Sequence, residues 1–283
     1  MTPLRQQMID QMTVRGMAEK TKRAYLQAVA GIAKYYRRSP DQLNEQQVQQ
    51  YLLHLIEERR LAWSSCNVAT HGLKFLYHVT LDRREVEFCI PQAKRPQRLP
   101  EILSREEIER LLATARQPKH RTLLMLTYSA GLRVSEVAHL KVRDIDSGRM
   151  SVRVEQGKGK RDRYTVLSAR MLKELRSYWL AYRPEVWLFT GRDRARPLSV
   201  KTIQRIFYRA KDRAKIAKPC GIHALRHAFA THSLEAGTDL HTIQRLLGHG
   251  HISTTMRYLH LTQKHLLSAG SPLDLLTLPT AKF

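Results

Sequence analysis

Over residues 1–90, apolar side chains recur every three or four positions. In "KTKRAYLQAVAGIAKYY", Tyr25, Val29, Ile32 and Tyr36 follow at intervals of four, three and four, the rhythm of one helical face. "NEQQVQQYLLHLIEERR" repeats it with Val48, Leu52, Leu55 and Ile56, and "CNVATHGLKFLYHVTL" with Val68, Leu73, Leu76 and Val79. With "LRQQMIDQM", these segments predict about four helices, each burying one stripe against the others.

The rhythm stops at "IPQAKRPQRLPEILS". Pro91, Pro96 and Pro100 lack an amide donor and push the preceding residues toward extended structure. Residues 91–103 are therefore expected to be a basic linker between an N-terminal helical domain, 1–90, and a second domain, 104–268. Ser104 and Glu107 form a capping-box pattern ahead of "IERLLATA". "RTLLMLTYSAGL" is apolar enough for a buried helix. "MSVRVEQGKGKRDRYTVL" changes period: Val152 and Val154 alternate, and Gly157 and Gly159 mark a turn, which predicts a β-hairpin with a basic tip. "SARMLKELRSYWLAY" and "SVKTIQRIFYRAKDRA" return to helix, and further helices follow with stops at Gly237 and Gly248. The fold class expected is mainly α with a small β-sheet (α+β). The tail, 269–283, carries Leu273, Leu275, Leu276 and Leu278, too apolar for a free end. It packs either on its own domain or on a neighbouring copy.

Composition narrows the function. Hydrophobic residues make up 42% of the 283, enough for real cores. Lys plus Arg number 49 against 25 Asp plus Glu, a net charge of +24 at pH 7. Such an excess suits a polyanionic partner, nucleic acid first among them. Cys66, Cys89 and Cys220 are odd in number and scattered, so no disulfide framework is expected. No apolar run approaches a membrane span, and "MTPLRQQMIDQM" has no signal-peptide core. The expected compartment is the cytoplasm.

Candidate chemistry concentrates between His223 and His260. His223 and Arg226 are three apart and share a helical face. "LLGHGH" ends a helix at Gly248 and presents His249, and a further helix is expected to carry Tyr258. Upstream, "AGLRVSEV" offers Arg133 and Glu136, and the hairpin tip offers Lys158. The inventory is cationic with almost no acids. His223, His227 and His232 are too loosely spaced, without thiolates or carboxylates, to suggest zinc. The set suits phosphoryl transfer. Guanidinium forks match phosphate oxygens, a tyrosine hydroxyl can attack phosphorus, and a lysine can protonate a leaving oxygen.

In their order, "GLRVSE", "GKGKRDR", "HALRHAFATH" and "LLGHGHISTTMRY" resemble the tyrosine recombinase (phage integrase) family, most closely its Xer-type and mobile-element members. The resemblance spans roughly residues 5–268. It implies a helical core-type DNA-binding domain and a catalytic domain that close on double-stranded DNA as a C-shaped clamp. It implies site-specific cutting and rejoining through a 3′-phosphotyrosine link, with neither metal nor ATP as cofactor. Tyr258 would be the nucleophile. Arg133 and Arg226 would bind the non-bridging oxygens, and Lys158 would be the general acid, with Lys160 as an alternative. His223 would act in proton transfer at the tyrosine, His249 would bond to the phosphate, and Glu136 would support the arginines. The partners implied are core sites on DNA and other copies of the chain, four on two sites, with a second recombinase left open. A type IB topoisomerase shares the chemistry, but the compact N-terminal helices argue against it.

Overall fold

The computed structural model describes residues 2–89, 101–155 and 162–259. The chain divides into two compact units, Met1–Gln97 and Arg98–Phe283. Most of the 91–103 segment, the hairpin tip with Lys158, and the tail lie outside the described residues.

The first unit holds helices α1 (Pro3–Val14), α2 (Glu19–Tyr36), α3 (Glu45–Glu57) and α4 (Trp63–Lys74). Asn44 caps α3: its side chain accepts from Gln47 N at 2.9 Å, and Gln47 Oε1 accepts from Asn44 N at 3.0 Å. Their core joins Met8, Met12, Ile32, Val48, Leu52, Leu73 and Leu76, all essentially without solvent contact. Each such side chain contributes about 1.5–3 kcal/mol through burial. Two expectations shift. Ile56, expected on the buried stripe of α3, is 36% exposed, and Tyr51 takes the inward position beside Leu52 and Leu55. Val68 is 42% exposed, and α4 turns Cys66, Ala69 and Leu73 inward instead. The end of α4 loosens into a π-helical turn, Phe75–Thr80, which buries Tyr77 and lets its hydroxyl donate to Pro40 O at 2.7 Å. That turn rotates the face set by the preceding spacing, and nothing in a period of three and four foretells it.

The second unit follows the expected α+β plan. It contains α5 (Arg105–Ala113), α6 (Pro118–Ser129), α7 (Val134–Ala138), strands β1 (Ile145–Asp146), β2 (Ser151–Val154) and β3 (Arg163–Val166), then α8 (Ala169–Tyr182) and α9 (Val200–Arg213). The chain continues through α10 (His223–Glu235), α11 (Leu240–Leu247) and α12 (Ser253–Met256). The sheet runs β1-β2-β3, antiparallel throughout, with Val152 opposite Thr165 and Val154 opposite Arg163. Val152 and Val154 face the core, as their alternation requires. The capping box at Ser104 forms: Ser104 Oγ accepts from Glu107 N at 3.2 Å and Glu107 Oε2 accepts from Ser104 N at 2.8 Å.

α6 is buried from Thr122 to Thr127 and runs through the centre of the main core. A second, smaller core gathers Phe229, Ala230 and Leu234 of α10, Ile243 and Leu247 of α11, and Tyr258. α12 ends before Tyr258, contrary to the expected helical position. The tyrosine sits in the turn that follows, held by Tyr258 N donating to Thr255 O at 3.0 Å.

Candidate active site

The site is assembled on one buried carboxylate. Glu136 lies in the first turn of α7, where its Oε2 accepts from Arg133 N at 2.8 Å. Arg133 Nη1 returns to Glu136 Oε1 at 2.7 Å. Arg163, at the start of β3, grips the same carboxylate with both terminal nitrogens, each at 2.7 Å. Arg226 Nη1 approaches within 3.7 Å. Burial opposes the ionised form of Glu136, but the hydrogen bonds and charge of Arg163, then those of Arg133, outweigh it and hold the carboxyl at about 2. Three guanidiniums against one carboxylate leave the cluster positive, which is the condition for receiving an anion.

Each arginine is also anchored by backbone carbonyls. Arg226, on the buried face of α10, donates Nη1 to Gly131 O at 2.7 Å and Nη2 to Leu247 O at 2.6 Å. Arg163 Nε donates to Leu246 O at 2.9 Å, and Arg133 Nη2 reaches Gly248 O at 3.4 Å. Burial first, then repulsion from Arg133, lowers the Arg226 guanidinium below its ordinary value. Two glycines make this packing possible. Gly248 ends α11 with φ of +63°, and a Cβ there would lie 2.6 Å from Arg163 Cδ. Gly131 adopts φ of +59°, and a Cβ there would meet Phe229 Cδ1 at 2.5 Å.

The left-handed turn at Gly248 delivers His249. Its Nδ1 shares a hydrogen bond of 2.9 Å with Thr255 Oγ1, and its ring stacks near the Tyr258 ring, 6.4 Å between centroids at 12°. Burial, then Arg226 and Arg133, pulls the His249 imidazole down to about 4. Tyr258 is 3% exposed. Burial raises its hydroxyl above the usual phenol value, against the pull of Arg226, Arg257 and Arg133.

Of the residues anticipated from sequence, Arg133, Glu136, Arg226, His249 and Tyr258 come together around this cluster. His223 opens α10 one turn before His227, and burial with the charges of Arg226 and Arg133 lowers its imidazole. Lys158 is outside the described residues. Two further residues belong here. Arg163 was hidden among the basic residues of the hairpin, and only its return to Glu136 distinguishes it. His227, set aside in the sequence as one of three histidines too loosely spaced for zinc, shares a hydrogen bond of 3.0 Å with Tyr258 Oη. Among the described residues, no group of three or more His, Cys, Asp or Glu side chains is placed to hold a metal ion, and no helix is long and apolar enough to cross a membrane.

Residues 101–265, which hold the whole cluster, match the model of the phage integrase family, and residues 4–86 match its N-terminal SAM-like domain. The chain belongs to the phage integrase family. It is 42% identical over 280 residues to the putative integrase/recombinase y4qK of Sinorhizobium fredii, covering 99% of this chain and 91% of that protein. It is 36% identical over 243 residues to the tyrosine recombinase XerA of Thermococcus onnurineus, covering 83% and 85%. Its fold is similar to that of the XerH site-specific recombinase crystallised with a palindromic difH substrate, with a TM-score of 0.72, 20% identity, and coverage of 93% of this chain and 83% of that one. This phage integrase family member is thus a tyrosine recombinase, an enzyme that cuts and rejoins DNA through a 3′-phosphotyrosine intermediate.

Proposed function

We propose that Tyr258 is the nucleophile and that the Glu136 cluster is the phosphate pocket. The observation that carries this reading is the convergence of Arg133 and Arg226 on one buried carboxylate beside a buried tyrosine. Arg133 and Arg226 take the non-bridging oxygens, where negative charge grows as phosphorus becomes five-coordinate. Glu136 fixes both guanidiniums in advance, so no reorganisation is needed when the charge appears. His249 adds a hydrogen bond to the phosphate, and His223 belongs to the proton path at the tyrosine. Lys158 protonates the leaving 5′ oxygen. The covalent link conserves the energy of the broken diester, so rejoining draws on no ATP and no cofactor enters the scheme.

The substrate in this reading is double-stranded DNA at specific core sites, bound by both units in the cytoplasm, with affinity that falls steeply with salt. Four copies act on two sites, and residues 269–283 dock on a neighbouring copy. Integration, excision and resolution share this chemistry and differ in the arrangement of sites.

The test is covalent capture. A nicked duplex, recovered from a randomised pool by its attachment to wild-type protein, should form an adduct in chelator. Tyr258→Phe should form none. An adduct on Tyr258→Phe would refute the nucleophile.

A further inference from the structure

A buried phenol does not release its proton unaided. Tyr258 must lose one as its oxygen bonds to phosphorus, yet burial has made that loss harder. Among the described residues, the side chain hydrogen-bonded to Tyr258 Oη is His227, through Nδ1 at 3.0 Å, with the ring centroids 5.8 Å apart. His227 immediately follows Arg226 on α10. One residue of helix turns its side chain about 100° from the arginine. Arg226 therefore reaches the carbonyls of Gly131 and Leu247, while His227 reaches the tyrosine.

We propose that His227 is a catalytic residue: it accepts the Tyr258 proton during cleavage and returns it during rejoining. The inference rests on Tyr258 being the nucleophile, and it assigns the direct acceptance of the tyrosine's proton to His227 instead of His223, because His227 is the imidazole hydrogen-bonded to Tyr258 Oη. In cleavage the Tyr258 O–H bond breaks and an Nδ1–H bond forms. The Oη–P bond forms as the P–O5′ bond breaks, and the leaving oxygen takes its proton from the general acid assigned to Lys158. In rejoining, the 5′ hydroxyl returns its proton to the group assigned to Lys158 as its oxygen bonds to phosphorus, the Oη–P bond breaks, and the departing tyrosine regains its proton from the imidazolium.

The surroundings suit this task. His223 and Arg226 face the imidazole from its own helix, Arg257 and Tyr258 from the turn after α12, and His249 from the segment after α11. Burial first, then His223, Arg226 and Arg257, holds His227 neutral, at about 4. A neutral imidazole keeps one ring nitrogen free to accept. A phosphate seated on Arg226 offsets part of the positive field that, after burial, depresses it. Basicity at His227 therefore rises when the substrate arrives.

Three variants decide the matter on the captured nicked duplex, with single-turnover adduct formation followed from pH 6 to 9. His227→Phe keeps a ring without nitrogen, and His227→Asn keeps a hydrogen-bonding side chain that takes up no proton. Both should slow adduct formation about 100-fold at pH 7, and the deficit should shrink as hydroxide takes over. Near-normal rates for either variant, or a loss equal at every pH, would overturn the role. Tyr258→Phe separates the two readings: an adduct there sinks the nucleophile itself, whereas a dead Tyr258→Phe beside an active His227→Phe sinks only this inference. Nitrogen-15 correlation spectra of the free protein supply a readout without DNA. At pH 7 the His227 proton should reside on Nε2, with the bare Nδ1 resonance shifting in Tyr258→Phe. A proton on Nδ1 would contradict acceptance from the tyrosine.

Discussion

Glu136 and Glu155 each gather three basic side chains in the second unit. Glu136 holds Arg133, Arg163 and Arg226, and Glu155 holds Lys141, Arg143 and Arg153. The side chain of Glu136 is 6% exposed, whereas around Glu155 the Arg143 and Arg153 side chains are 67% and 40% exposed. The charges are alike and the consequences are not. Where water reaches, it can replace a lost partner, and the cluster is a surface feature at the root of the hairpin. Where water is excluded, each charge depends on the others, and the cluster sets geometry.

Removing the central carboxylate should separate the two most widely. Glu136→Ala leaves buried guanidiniums facing one another and should cost about 3–5 kcal/mol in denaturant unfolding, with adduct formation abolished. Glu155→Ala should leave the unfolding midpoint close to wild type, and equal losses would break the contrast.

Acid should reveal the same asymmetry. Glu136 is held at about 2 against an ordinary 4.5. Its folded value is depressed, so its contribution is fully present above about 4.5 and is lost as pH falls toward 2. It amounts to about 3 kcal/mol. Glu136→Gln should flatten the stability profile across that window, and an unchanged profile would count against the pairing.

Arg163 comes next. Arg163→Ala should destabilise by about 3 kcal/mol and slow cleavage about 100-fold by displacing Arg133 and the turn at Gly248. Arg163→Lys should fail to restore cleavage, because an ammonium cannot make the paired contact. Full rescue by lysine would mean that charge alone matters. The smallest effect expected within the buried cluster is Gly248→Ala, at about 1–3 kcal/mol from its left-handed backbone and its approach to Arg163 Cδ. Thermal melting checks it.

What could be read in advance follows from how local each relation is. His223 and Arg226 share a face because three residues on a helix put them there. The hairpin strands were legible because Val152 and Val154 alternate. The Ser104 cap was legible because its partner is three residues away. Arg163 was not, since its meeting with Glu136 depends on where β3 arrives relative to α7, a matter of tertiary packing. His227 was obscured by the other histidines of its stretch, and its distinction lies wholly in the hydroxyl opposite, 31 residues on. Val68 was misplaced because valine suits a core face but the helix rotates to bury Cys66 and Ala69. A period cannot say which of two adjacent faces is chosen when both carry small or apolar residues. The helix expected at Tyr258 ended early for a related reason: α12 is too short to show a period at all.

The small core that seats Tyr258 has a kinetic meaning. It is separate from the main core of the second unit and is built from α10, α11 and the turn after α12. Regions with few buried apolar contacts open locally at lower free energy than the body that carries them. Amide hydrogens of residues 240–258 should therefore exchange with deuterium ahead of those in α6, on a clock of their own. Because the carbonyls of Leu246, Leu247 and Gly248 hold Arg163, Arg226 and Arg133, an opening of this segment would release the arginines together with Tyr258, so the proposed nucleophile and its phosphate pocket should form and dissolve as one unit.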